Sequence, residues 1–379
     1  MAKQVILAVA GAGKTHYISR AIDPAQKNLI LAFTHENIRN IHKELIEAHG
    51  TVPELTTVMT FDSFVYRFLV CPYEPTILRH FGRDDYKTRG ITLRQPPPMQ
   101  IKSKDGESIP NPKYKKDVLL EHYVTAYGQY YNANTAKLVM KVKKKKEILI
   151  KKAADTWNLF FDKILIDEFQ DFRIYYFELI LALSKSTDNI LLVGDYYQHS
   201  VSALNNTGKP FQVGKGKSKA ELSYTDFVQL LEKEGFNVDE TTLEKSRRCP
   251  QNICDFITMK LGINIAAYND NQGKVIWVED NDIDDILKNN QITKLVWNTP
   301  EIYNFEAQSW SYSKGNTLDS VCVILTDTLR SLKSHKFDCN KIAKSTLNKL
   351  YVAMTRTKGN LYIMDFTVFQ NAKENYIKH

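Results

Sequence analysis

Five residues near the amino terminus have the types and spacing to grip a phosphate. Gly11, Ala12, Gly13, Lys14 and Thr15 follow the apolar run at 5–9 and precede a segment that reads as helical. Glycines permit a turn whose backbone N–H groups close round phosphate oxygens, a lysine reaches the outer ones, and a threonine hydroxyl holds Mg2+. The usual G-x-x-x-x-G-K-[ST] spacing has Ala8 where its first glycine stands. Two carboxylates, Asp167 and Glu168, end the apolar run of KILIDEFQD and so belong at the carboxyl end of another strand. Together these stretches point to a nucleotide with Mg2+ held through Thr15 and Asp167, and with Glu168 orienting and deprotonating an attacking water. A third run, NILLV at 189–193, leads to Gly194, Asp195 and Gln198. The Gln198 amide is able to sense the outermost phosphate there, while a turn built on Gly194-Asp195 is the simpler reading.

These residues need a scaffold that brings strand ends together. Residues 17–21 read as a first helix, 28–33 (NLILAF) as a buried strand, and Ile38, Ile41 and Leu45 have helical spacing. Residues 57–60 form a third strand before another amphipathic helix. Such alternation predicts a parallel sheet with helices on its faces and ligands at the carboxyl ends of its strands. From 70 to 152 the texture changes: Pro72, Pro75, Pro96 to Pro98, Pro110 and Pro112 break up long elements, and tyrosines and lysines become frequent. This is an insertion into the first domain. Its Tyr123, Tyr127, Tyr130 and Tyr131 suit base stacking among basic residues, or equally the packing of a small helical subdomain.

The polar, glycine-containing stretch 205–220 reads as a mobile loop, and the first domain closes near Gly235. Beyond it, Arg247 and Arg248 precede a helix beginning near Pro250. Strand candidates follow at 275–278, 295–297, 321–325 and 361–364, with a helical stretch at 342–355. The expected organisation is an α/β chain with a first domain at 1–69 and 153–235, the insertion at 70–152, and a second α/β domain at 236–379.

The 379 residues are 43% hydrophobic and 25% charged, ordinary globular usage that suffices for two or three domains. No apolar run approaches the roughly 18 residues of a membrane span, and the first strand runs straight into GAGKT, so a soluble, unexported, cytoplasmic protein is expected. Cys71, Cys249, Cys254, Cys322 and Cys339 lack C-x-x-C spacing, which suggests neither a disulfide frame nor a zinc site. A formal charge of +8 is compatible with a polyanionic partner. The lysine-rich run at 141–152 concentrates part of that excess, and a solvated helix face explains it equally well.

Taken in order, these stretches resemble the superfamily 1 helicases of the UvrD/Rep/PcrA type. AVAGAGKT resembles their first motif, ILAFTHENI motif Ia, TFDSF the segment usually written TFHS, LIDEFQD motif II and LLVGDYYQ motif III. In the second half LEKSRRC resembles motif IV, KLVWNTPEIYN the strand called IVa, SWSYSKGNTLDSV motif V and LYVAMTRTKGNLYI motif VI. The resemblance covers nearly the whole chain except 70–152. It implies two RecA-like parallel-sheet domains of the P-loop NTPase kind, with ATP and Mg2+ in the cleft between them. Lys14 would bind phosphates, Glu168 would be the base and Gln198 would couple the γ-phosphate to the nucleic-acid site. Arg248 and Arg356 would stabilise charge on the transferred phosphoryl group. Thr34, Thr60, Ser63, Ser309, Lys314 and Gly315 match positions lying along a single strand, where small hydroxyls and backbone amides contact phosphates without reading sequence.

The implied activity is ATP-dependent translocation on single-stranded DNA, or helicase action, in the 3' to 5' direction. RNA stays open as the activating strand. The alternative is a nucleic-acid-dependent ATPase switch that docks on a protein partner such as a nuclease in a repair or anti-phage complex. Several positions depart from the family. Only 1–4 precede the first strand, which leaves out the upstream glutamine motif that recognises adenine. Asp62 and Ser311 replace family histidines, and Asn298 stands where an arginine is common. HSVSALNN after Gln198 replaces the usual base-stacking aromatics. The few residues between Asn304 and Ser309 leave no room for the helical 2B subdomain, which favours translocation over autonomous unwinding.

Overall fold

The computed structural model describes residues 3–83, 87–144, 147–171, 174–187, 189–199, 212–213 and 220–378. The loop expected at 205–220 therefore lies largely outside the described residues, as do Lys145 and Lys146 of the basic run.

Six strands make the first sheet: β1 (Gln4–Leu7), β2 (Asn28–Ala32), β3 (Thr56–Thr60), β4 (Lys163–Asp167), β5 (Ile190–Gly194) and β6 (Asn237–Asp239). Their order is β6-β1-β5-β4-β2-β3. The runs 5–9, 28–33 and 189–193 were legible because strands covered on both faces lack polar alternation; every residue of β2 and β5 is buried. Parallel pairing of β4 with both β5 and β2 sets Asp167 opposite Val193 and Ile166 opposite Leu31. Strand β2 pairs in parallel with β3, Ala32 opposite Thr60. Since β1 lies three places from β2 in the sheet, the chain crosses over from one to the other, and strand order reverses near β1 as in doubly wound folds. Helix α1 (Lys14–Arg20) follows β1 and α2 (His35–His49) follows β2. Ile41 and Leu45 supply the buried stripe of α2.

The proline-rich stretch after residue 70 holds a two-turn helix, Glu74–His80, with Pro75 in its first turn, and short strands, including an exposed hairpin of Gln100–Lys102 with Ser108–Pro110. Two helices follow, α3 (Asn132–Lys141) and α4 (Leu149–Trp157), and α4 continues across residue 152. Here packing rather than stacking employs two of the four tyrosines. Tyr123 and Tyr130 are buried, and burial drives both phenols upward from their ordinary range. Tyr130 also donates to Glu74 at 3.1 Å, while Tyr127 is exposed.

The second sheet comprises β7 (Val275–Val278), β8 (Ile292–Val296), β9 (Ala307–Ser309), β10 (Ser320–Ile324) and β11 (Leu361–Met364), ordered β7-β11-β10-β8-β9 and parallel throughout. Alternation along β10 divides its side chains between two cores, Val321 and Val323 on one face, Cys322 and Ile324 on the other. Helices α5 (Gln251–Leu261) and α6 (Lys344–Met354) contribute Ile253, Ile257, Leu350 and Met354 to the first of these cores. The expected strand 295–297 instead ends at Val296, and residues 297–306 hold one 3-10 turn, Pro300–Ile302. The architecture is thus α/β with two parallel-stranded sheets.

By contacts the chain divides into two compact units, Met1–Val5 with Thr15–Val193 and Leu204–Val238, and Ile6–Lys14 with Gly194–Ala203 and Asp239–His379. The phosphate-loop segment and the end of β5 group with the second unit. No shift in composition announces this. Among the described residues no helix is long and apolar enough to cross a membrane.

Candidate nucleotide site

Within the unit that holds Ile6–Lys14, the loop after β1 is shaped by two backbone angles. Gly11 has φ 73° and Gly13 φ 88°, a region that side chains with a Cβ adopt only at a cost. Gly11 is constrained a second time, because a Cβ there would lie 2.8 Å from both Arg248 Cβ and Ser246 Oγ. Its carbonyl accepts from Arg247 N at 2.9 Å, and Ala8 N donates to Gly194 O at 2.8 Å. Ala10 N donates to the Tyr351 hydroxyl at 2.9 Å, and that hydroxyl donates to Asp195 Oδ2 at 3.3 Å. Burial together with the nearby Asp195 carboxylate holds the Tyr351 phenol well above its ordinary value.

The candidate arginines lie in the same unit. Arg248 donates through Nε to Thr317 Oγ1 at 2.9 Å and through Nη1 to Thr355 O at 3.1 Å. Arg356, 1% exposed, donates through Nε to Val352 O at 2.8 Å and through Nη2 to Thr355 Oγ1 at 3.2 Å. Both guanidinium groups thus meet at the carboxyl end of α6. The buried Gln198 donates its side-chain amide to Asp195 Oδ2 at 2.8 Å, and its backbone carbonyl accepts from Lys314 Nζ at 3.3 Å. The turn reading of Gly194-Asp195 is what the structure shows: Asp195 caps the 3-10 turn Tyr196–Gln198 and also holds the Gln198 amide.

In the other unit, Thr15 Oγ1 donates to Asp167 Oδ2 at 3.0 Å. Octahedral Mg2+ with oxygens at about 2.0–2.1 Å has neighbouring ligands about 2.9 Å apart, so the pair is spaced as two adjacent ligands of one ion. The residues fit the metal: a hard carboxylate and a hydroxyl, with Asp167 buried beside Val193 in the sheet. Glu168, the next residue, has φ 52° and is one of two non-glycine residues with positive φ among those described. Its N–H donates to Asp167 Oδ1 at 2.9 Å, its carbonyl accepts from Asp171 N at 2.9 Å, and its carboxylate accepts from the Gln170 amide. A glutamate held in the left-handed region costs of order 1–3 kcal/mol, and such strain persists where surrounding bonds over-determine it.

The remaining predicted residues fall at strand ends, two sets in two units. Thr34 follows β2 and caps α2, accepting from Asn37 N at 3.1 Å. Thr60 ends β3, accepts from Ser63 N at 3.2 Å and donates to Ser63 Oγ at 2.8 Å. These hydroxyls already have local capping work. Ser309, Lys314 and Gly315 lie at and just beyond the end of β9, with Gly315 at φ 92°. Asp62 accepts from Asn132 Nδ2 and from the Tyr176 hydroxyl at 2.6 Å, so it ties the insertion to the first sheet's helices.

Sequence reasoning passed over Tyr351 and Ser246. A signal for the former existed: a phenol inside the apolar run LYVAM must find a polar partner when its helix is buried.

A family profile described as "AAA domain" matches residues 2–203. No curated protein matches at the level of sequence. Similar solved structures include the PRRSV helicase, 13% identical with a TM-score of 0.43, the match covering 96% of this chain and 52% of that one. The arterivirus nonstructural protein 10 helicase resembles it in complex with DNA (12% identity, TM-score 0.41, 96% and 61% covered) and without it (14%, 0.41, 96% and 59%). This chain spans between about half and three fifths of the length of those helicases.

Proposed function

Because this chain belongs to the AAA domain family, we propose that it hydrolyses ATP and couples the hydrolysis to movement on single-stranded DNA, in the 3' to 5' direction. The observation that carries the hydrolytic half is the Thr15–Asp167 pair at 3.0 Å, followed directly by the strained Glu168. Loop N–H groups and Lys14 would receive the phosphates. Thr15 and Asp167 would hold Mg2+, which supplies charge neutralisation on the phosphate oxygens. Glu168 would take a proton from the attacking water as the bond from phosphorus to the leaving oxygen breaks, giving ADP and inorganic phosphate. Arg248 and Arg356 are the candidates for stabilising charge that develops on the transferred group.

The short connection at 297–306, with its single 3-10 turn, favours translocation over autonomous strand separation, and it also supports a second reading. In that reading the chain is a strand-activated ATPase switch acting for a protein partner. Hydrolysis should be measured for the full chain with and without single-stranded DNA or RNA, beside Lys14→Ala and Glu168→Gln, and then on duplexes with 3' and 5' tails. The proposal expects strand-stimulated turnover that both substitutions abolish. Turnover indifferent to any strand would sink it, and stimulated turnover without movement along DNA would select the switch.

A further inference from the structure

Tyr312 is 81% exposed, more so than any other large apolar or aromatic side chain among the described residues. Isolated apolar side chains at a surface are ordinary. This one differs in what lies beneath it. The turn after β9 is anchored by Trp310, which is fully buried, donates through Nε1 to Leu295 O at 3.0 Å and through its backbone N to Val296 O at 2.8 Å. Ser313 Oγ donates to Trp310 O at 2.7 Å, Ser313 N donates to Ser309 O at 3.1 Å, and Tyr312 N donates to Ser309 Oγ at 3.2 Å. The tyrosine ring therefore stands in water on a turn held by these bonds, two residues from a tryptophan locked in the core.

Behind the turn the packing is aromatic as well. Trp297 packs edge-on against Trp310 with centroids 5.2 Å apart, and Lys349 Nζ lies 4.2 Å over the Trp297 ring. Gly315, three residues on, requires its positive φ and has open space where a Cβ would project. A flat ring in solvent, on a turn that also carries the Ser309 hydroxyl and, two residues further on, Lys314, suits the way proteins hold unpaired bases without reading them. The segment after Gln198 offers His199 and Ser200 rather than an aromatic platform.

We infer that Tyr312 stacks on an unpaired nucleobase and is the base-stacking contact of this chain, an assignment that rests on the nucleic-acid reading given above.

The test is fluorescence anisotropy of the full chain with a labelled oligo(dT) and with an abasic strand of equal length, for the wild type, Tyr312→Ala and Tyr312→Phe. Oligo(dT) affinity should fall about tenfold in Tyr312→Ala and stay within about twofold in Tyr312→Phe. Affinity for the abasic strand should be the same in all three, because phosphate contacts remain. Loss of equal size on both strands would show a merely structural role and overturn the inference. Wild-type affinity in Tyr312→Ala would overturn it too, leaving the nucleic-acid reading intact. A wild type that binds neither strand would remove that reading, and this inference with it.

Discussion

Ala10, in the loop after the first strand, gives its backbone N–H to the hydroxyl of Tyr351, 341 residues further along the chain. The same hydroxyl reaches Asp195 at 3.3 Å, so one phenol ties a backbone donor to a buried carboxylate. Removing it takes the acceptor from the buried Ala10 N–H and one of the donors from Asp195, which keeps Tyr197 N and the Gln198 amide. Tyr351→Phe should therefore lower stability by about 1–3 kcal/mol, read by denaturant unfolding. An unchanged midpoint would mean the bond contributes nothing net.

Alkaline pH gives a second reading of that phenol. Its folded-state pKa is raised well above the ordinary value of 10.0 by burial and by Asp195. A raised pKa means the folded state keeps its proton where the unfolded chain has released it. The stabilisation is complete below pH 10 and is lost as pH rises from there toward the folded value. Above pH 10 the wild type should lose stability more steeply than Tyr351→Phe, by about 1.4 kcal/mol per pH unit for one proton. Parallel slopes would contradict the assignment.

Gly11 and Gly50 form a natural pair of controls. Both have positive φ, 73° and 78°, but a Cβ on Gly11 meets Arg248 Cβ and Ser246 Oγ at 2.8 Å, whereas one on Gly50 meets nothing within 4 Å. Gly50→Ala should cost about 1 kcal/mol, the backbone penalty alone. Gly11→Ala should cost clearly more and should abolish binding of a fluorescent ATP analogue, since the loop itself must shift. Equal costs would show that the loop yields freely.

Glu168 allows strain and chemistry to be separated. Glu168→Ala and Glu168→Gly both remove the carboxylate, and each should lower turnover by roughly 10²–10⁴-fold if the group is the general base. Only glycine relieves the φ of 52°. Thermal unfolding should place Glu168→Gly about 1 kcal/mol above Glu168→Ala. The reverse order would mean that the left-handed backbone carries no penalty there.

Asp167→Asn tests the metal pair. The amide keeps the shape and can still accept from Thr15, but it loses the charge that attracts a hard cation. Mg2+ required for half-maximal hydrolysis should rise at least tenfold, while nucleotide binding measured without metal should change little. An unaltered Mg2+ titration would remove Asp167 from the ligand set.

Much of the frame was determined by sequence alone. Runs such as NLILA and ILLVG are apolar throughout because both faces of their strands are covered, and GAGK carries glycines where the turn demands positive φ. These are local requirements, written in consecutive residues. What lies opposite a strand end is not local. The 3.0 Å approach of Thr15 to Asp167 joins residues 152 apart, and it exists because β1 and β4 flank β5 in one sheet. Tertiary packing alone decided that Tyr123 and Tyr130 sink into the insertion while Tyr127 and Tyr312 remain in water. It also decided that Arg248 and Arg356 converge on Thr355. A tyrosine or arginine is amphipathic, so its type permits either fate, and only the neighbours supplied by distant chain decide between them.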